Sequence, residues 1–164
     1  MKHLKTFIAV SLDGFIATKD NELDWMPENV KKEISPTYEQ SGVLLTGVNT
    51  YTYIFEHWGG WPYKSKKTFV VSHYDTNVTE KENVTFLTDM PLRAVNELKS
   101  SSETDIQVIG GGKFITSLIE ASLLDEITLY IVPVMLGDGI RFIGKTFRSK
   151  WELTQNKGVD NQVV

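Results

Sequence analysis

The sequence predicts an α/β domain, a mostly parallel sheet with helices on both faces. Five short apolar segments carry the prediction: Leu4 to Val10, Val43 to Thr46, Thr68 to Ser72, Ile106 to Ile109 and Ile127 to Val132. Each is rich in β-branched or aromatic residues and lacks strict polar alternation, as expected of strands covered on both faces. Amphipathic stretches lie between them, and strands alternating with helices imply right-handed crossovers in one sheet.

The elements follow in order. After the first strand, Asp13-Gly14 makes a turn and Ile16-Ala17 resumes an extended segment. A helix spans about Glu28 to Gln40, with Pro36 expected to kink or end it. Gly47 stands between the second strand and a helix whose first turn holds Thr50. Pro91 suits the first position of a further helix after Asp89 as cap, with Leu92, Val95 and Leu98 on one face. The last helix runs from about Lys113 to Ala121. Near the end, Trp151 to Gln155 and Val163-Val164 flank Gly158 and Asp160-Asn161, which reads as an antiparallel hairpin at the sheet edge. Its second strand has barely begun at Val164, so a truncated C-terminal strand is the expectation. Residues 1–164 form one domain, with no internal repeat or linker.

Composition narrows the function. Hydrophobic residues make up 41% and charged residues 23%, which is ordinary for a globular domain. A net charge of -4 gives no reason to expect nucleic acid or an anionic membrane as partner. The absence of cysteine excludes disulfides, thiolate nucleophiles and cysteine-ligated metals. With no signal-peptide pattern and no apolar run of spanning length, a cytoplasmic location is expected. The sequons Asn77-Val-Thr79 and Asn83-Val-Thr85 then read as chance. His3, His57 and His73 are too widely spaced to suggest a metal site.

Two junctions could carry chemistry. Ile109-Gly110-Gly111-Gly112-Lys113 sets three glycines between a buried strand and a helix. It is either a tight turn or an anion seat, where backbone amides approach a phosphate at a helix N-terminus. Leu45-Thr46-Gly47-Val48-Asn49-Thr50 repeats the arrangement, and Asn49 or Thr50 could equally cap the helix. A pair of such junctions suits a dinucleotide, which needs phosphate contacts at the carboxyl ends of strands. Trp58-Gly-Gly-Trp61-Pro-Tyr63 is either a pocket wall or a rigid packed loop. Asp24-Trp25-Met26-Pro27 reads as a mobile loop, and Asp125-Glu126 as a solvated turn.

In this order, "IAVSLDGFIA", "LLTGVNTY", "FVVSH", "VIGGGKFI" and "LLDEITLYIVPVMLGDG" resemble the dihydrofolate-reductase-like family. The closer likeness is to its riboflavin-biosynthesis reductase branch, the C-terminal domain of the bifunctional deaminase-reductase, here as a stand-alone chain. The resemblance implies a three-layer α/β/α domain that binds NADPH and passes hydride to a small heterocycle or ribosylaminopyrimidine, as 5-amino-6-(5-phosphoribosylamino)uracil reductase does. Carried over residue by residue, it gives Ala9 and Ile16 backbone contacts to the nicotinamide carboxamide. Gly47 and Thr50 hold phosphate, Ser72 lies near the adenosine ribose or its 2′-phosphate, and Gly110, Gly111 and Gly112 cradle pyrophosphate with a cis peptide between two of them. On the substrate side stand Ser11, Asp13 and the loop residue Trp25, with Asp13 as proton handler or substrate anchor. A homodimer is also implied.

The chain departs from the family's pattern at Val48, where Arg is usual, so NADH becomes possible beside NADPH. Lys31 falls near the place of the pterin-binding carboxylate of true dihydrofolate reductases, which makes folate a poor fit. The deaminase step is excluded for want of cysteines. Two rival readings are a catalytically silent nucleotide-binding member of the fold and a dihydrofolate reductase.

Overall fold

The computed structural model describes residues 2–73, 82–159 and 163. The sequon at 77–79, the turn residues Asp160 and Asn161, and Val164 lie outside the described residues. Six strands form the main sheet in the order β5-β4-β3-β6-β1-β7. They are β1 (Leu4–Ser11), β3 (Val43–Gly47), β4 (Lys67–Val71), β5 (Val84–Leu87), β6 (Ile106–Ile109) and β7 (Glu126–Val132), and every pairing between them is parallel. A separate antiparallel pair joins β2 (Phe15–Ala17) to β8 (Ile140–Arg141).

Alternation along the strands sends apolar side chains to both faces, and each face has its own helices. Leu45, Val108 and Leu4 pack beneath α3 (Pro91–Ser101) and α4 (Gly112–Glu120) through Val95, Ile115 and Leu118. On the other face Leu44, Val70 and Ile109 meet α1 (Glu28–Gln40) and α2 (Val48–His57) through Tyr38, Tyr51 and Ile54. This is the three-layer arrangement expected. Polar groups inside the sheet are satisfied across strands: Thr46 Oγ1 donates to the Ile109 carbonyl at 2.8 Å and Thr6 Oγ1 to that of Val108 at 3.1 Å.

Several local expectations are corrected. Helix α1 does not end at Pro36 but continues to Gln40, held on either side by buried Val30 and Tyr38. The cap of α3 is Met90, in the left-handed region at φ 41°, and not Asp89. Residues 151–155 form no strand. Trp151 and Leu153 are exposed, and the tail's antiparallel contact is a bridge between Val159 and Val163. Those two valines pack with Ala9, Val30 and Tyr130. Asp125 is no solvated turn: it pairs at 2.7 Å with Lys99, whose side chain is 7% exposed, and it accepts the Leu4 amide.

Candidate functional site

The chain leaves β3 toward β4 and leaves β6 toward β7, on opposite sides, so a crevice opens between the carboxyl ends of β3 and β6. Open α/β sheets bind ligands at such a point. Ser72, Gly47, Gly110 and Ser11 follow β4, close β3, follow β6 and close β1, so they lie in that order along one end of the sheet.

The two glycine junctions meet in the crevice. Gly47 precedes α2 and Gly111 precedes α4, and neither helix start has a side-chain cap. Their first-turn amides therefore remain available to an anion. A Cβ built on Gly111 would lie 2.9 Å from Thr50 Oγ1, and one on Gly47 would lie 3.1 Å from Phe114 Cβ. Thr50 thus stands against the glycine turn. The three glycines serve different ends. Gly110 takes φ +37° and turns the chain, while Gly112 leaves room for the Arg141 and Phe142 carbonyls. No described peptide is cis, so the expected cis bond between glycines is absent. Val48, where Arg was usual in the resemblance, packs into the apolar cluster around Tyr51.

Ala9 is buried in β1, and Ile16 packs against the α4 side of the core. Ser72 is buried at the end of β4, and its amide donates to the Leu87 carbonyl at 3.1 Å. Ser11 Oγ donates to Asp13 Oδ1 at 2.6 Å and accepts the Phe15 amide at 2.9 Å. Asp13 also accepts the amides of Leu136 at 3.2 Å and Gly137 at 2.7 Å. The Ser11 hydroxyl, with those amides, holds the Asp13 carboxyl below its ordinary value of 3.8. Trp25 packs with Ala9, Val30 and Tyr130, and its Nε1–H is buried without an acceptor.

Sequence reasoning missed a pair within Trp25's own cluster, where Tyr130 Oη donates to Glu33 Oε2 at 3.2 Å. Nothing in the local pattern links residues on separate elements. The Trp58 to Tyr63 segment divides between the two readings: Trp61 is packed inside, whereas Trp58 is exposed. Trp61 is 3% exposed and donates through Nε1 to Thr68 Oγ1 at 3.1 Å, on the α1–α2 side of the sheet. Lys31 turns to Glu28 on the surface of α1.

The fold is that of the dihydrofolate-reductase-like class. The model of the RibD C-terminal domain family matches residues 2–164, and the chain belongs to that family. Its relatives include YyaP of Bacillus subtilis (strain 168), 32% identical over 147 residues that cover 80% of this chain and 75% of YyaP. A putative riboflavin biosynthesis protein from Shewanella sp. PV-4 superposes with a TM-score of 0.83 at 27% identity, over 98% of this chain and 94% of that one. Dihydrofolate reductase from Enterococcus faecalis, complexed with NADP(H), superposes with a TM-score of 0.63 at 19% identity, over 87% and 79% of the two chains, which shows the shared fold. Among the described residues, no helix is long and apolar enough to cross a membrane.

Proposed function

We propose that this protein is an NAD(P)H-dependent reductase acting on a small heterocycle of the ribosylaminopyrimidine kind. The observation that carries the reading is the meeting of two uncapped helix starts at glycine junctions, with Thr50 Oγ1 2.9 Å from the Cβ position of Gly111. A side chain there would fill the space a pyrophosphate needs, so the residues present fit the group. Membership of the RibD C-terminal domain family supports the same reading.

The bound dinucleotide would supply the hydride. The chain's own residues bind and align it. Amides of residues 47–50 and 110–113 face the phosphates, the Thr50 hydroxyl adds a donor, and Ser72 borders the adenosine side. Ala9 and Ile16 border the nicotinamide end, where Trp25 and the turn at Ser11 and Asp13 form the substrate side. Burial of Ala9, Val30 and Tyr130 beside Trp25 keeps that end apolar, which excludes water from the reacting groups.

Titration with NADPH and NADH, followed by cofactor oxidation with a panel of ribosylaminopyrimidines and pteridines, tests the reading. Saturable binding with oxidation by a pyrimidine supports it. Binding without any turnover favours the silent nucleotide-binding member, and no binding of either dinucleotide refutes the site. The outer edge of β7, with Leu129 and Ile131 half-exposed, supports the homodimer. A monomer at micromolar concentration in light scattering would count against it.

A further inference from the structure

The Asp13 carboxylate sits in the turn between β1 and β2, yet two of its three partners come from a segment more than 120 positions away. Oδ1 accepts the Ser11 hydroxyl and the Leu136 amide, and Oδ2 accepts the Gly137 amide. A carboxylate engaged in this way is fixed, because charge-assisted bonds to amides are stronger and more directional than neutral ones.

The far segment is bound to the turn at three places. The Leu12 amide donates to the Val134 carbonyl at 2.9 Å, and the Phe142 amide donates to the Gly14 carbonyl at 3.0 Å. Between these two backbone bonds the hydrogen bonds to the turn come from Asp13. The stretch also holds Gly137 at φ +75° and Gly139 at φ +149°, positions with wide backbone freedom. Such a stretch has many conformations, and the Asp13 carboxylate, with the Lys19–Asp138 ion pair and the β2–β8 ladder beyond it, holds it in one.

That conformation reaches the glycine turn by contact of backbone on backbone. A Cβ built on Gly139 would strike the Ala17 carbonyl, and one built on Gly112 would strike the carbonyls of Arg141 and Phe142. At Gly112 the nearest atoms are all backbone, and at Gly139 the Phe15 ring stands beside the crossing. Gly112 opens α4, whose first amides belong to the cradle.

We propose that Asp13 is a positioning residue for the dinucleotide cradle. Its carboxylate clamps residues 134–139 to the β1–β2 turn, and the continuation at 140–142 seats Gly112 and the start of α4. The role rests on the proposed dinucleotide site, and it differs from that of a proton donor, which would need a free oxygen facing substrate.

The test compares the parent with Asp13→Asn, which keeps the shape of the side chain but loses its charge and turns an N–H toward one amide donor. Amide hydrogen exchange on the ligand-free proteins should rise at least tenfold at residues 136–137 and severalfold at 112–114. The NADPH dissociation constant should rise about tenfold, equivalent to the loss of one ordinary charge-assisted bond. The pH profile of kcat should keep the parent's shape. Unchanged exchange at 112–114, or an unchanged NADPH dissociation constant with kcat falling a hundredfold, would overturn the proposal and return Asp13 to the chemistry. If Asp13→Asn does not fold, Asp13→Glu supplies the same readouts, because its longer reach misplaces the carboxylate while keeping the charge. If the parent binds neither NADPH nor NADH, the cofactor reading fails on its own, and exchange in the ligand-free proteins still decides whether Asp13 holds α4 in place.

Discussion

Gly111 and Gly112 are adjacent, and a methyl group on each should do different damage. On Gly112 the new Cβ overlaps the Arg141 carbonyl oxygen and comes within 2.8 Å of that of Phe142, both backbone atoms that cannot rotate away. Overpacking of this kind costs roughly 1–3 kcal/mol. Alanine's better helix propensity returns at most about 1 kcal/mol, and less at the first helical position. A net loss of about 1–2 kcal/mol in a domain of this size lowers the melting temperature by roughly 2–8 °C. On Gly111 the backbone has φ -79° and ψ 167°, open to any residue, and the Cβ meets only the rotatable Thr50 hydroxyl. Gly111→Ala should melt with the parent to within about 0.5 kcal/mol. Dinucleotide binding should reverse the order of severity at Gly111, because its methyl group stands between Thr50 and the turn amides. Thermal melts followed by circular dichroism, with NADPH titration of all three proteins, make the comparison. A Gly112→Ala protein that melts like the parent, or a Gly111→Ala protein that binds NADPH like the parent, would refute the division of roles.

Val48→Arg should bring a cation to the first turn of α2 and strengthen NADPH binding roughly ten- to a hundredfold while leaving NADH unchanged; a parent already strongly selective for NADPH, with no gain, would place the 2′-phosphate contact elsewhere. Asp125→Ala removes the carboxylate from buried Lys99, leaving it the Leu123 carbonyl, and should cost about 3 kcal/mol, measured by urea denaturation; a loss under 1 kcal/mol would mean that the Leu123 carbonyl or water satisfies the lysine. Asp13, through Ser11 and the loop amides, and Asp105, through the His3 amide and Lys5, are both held below the ordinary value of 3.8. The folded state then binds fewer protons than the unfolded chain, so these groups stabilise the fold above about pH 4 and lose that contribution as pH falls through their folded values. The urea midpoint should fall below that pH, and less steeply in Asp13→Asn; identical acid limbs would contradict the Asp13 assignment.

The strands legible in the sequence are short runs rich in β-branched and aromatic residues, most of them buried on both faces, with β7 legible in the same way although Leu129 and Ile131 are half-exposed. β5 was not legible because it spans only four residues, Val84 to Leu87, too few to set a period apart, and overlaps the sequon Asn83-Val84-Thr85. β8 is two residues long and has no period. Trp151 and Leu153 show the opposite failure. Their alternation fits a strand, but alternation says which side chains share a face and not whether a partner lies beside them. The same limit explains Asp125, whose partner Lys99 lies 26 residues away on α3. In the site, the glycine turn and the Thr50 junction were readable because both follow buried strands. Which glycine bends, which faces the hydroxyl and which admits a crossing carbonyl was not readable, since residues 141–142 decide the last.

The two halves of the site are built from different materials. The cradle is backbone: amides at two helix starts, freed by glycine and bordered by one hydroxyl. Backbone amides recognise phosphate whatever side chains surround them, so under the proposed function this half would select a phosphate-bearing cofactor and say little about substrate. The opposite half is made of side chains, and most of their polar capacity is already committed. Ser11 gives its proton to Asp13 and accepts the Phe15 amide, while Asp13 is taken up by Ser11 and two loop amides. The donor among the three substrate-side candidates that has no acceptor is the buried Trp25 Nε1–H. A buried indole donor left unpaired costs stability unless something accepts from it. A heterocycle with a carbonyl or ring nitrogen turned toward Trp25 would satisfy that donor without breaking the Ser11–Asp13 network. Under the proposed function, substrate choice would fall to Trp25 and the apolar wall around it, with the turn serving both halves by holding still.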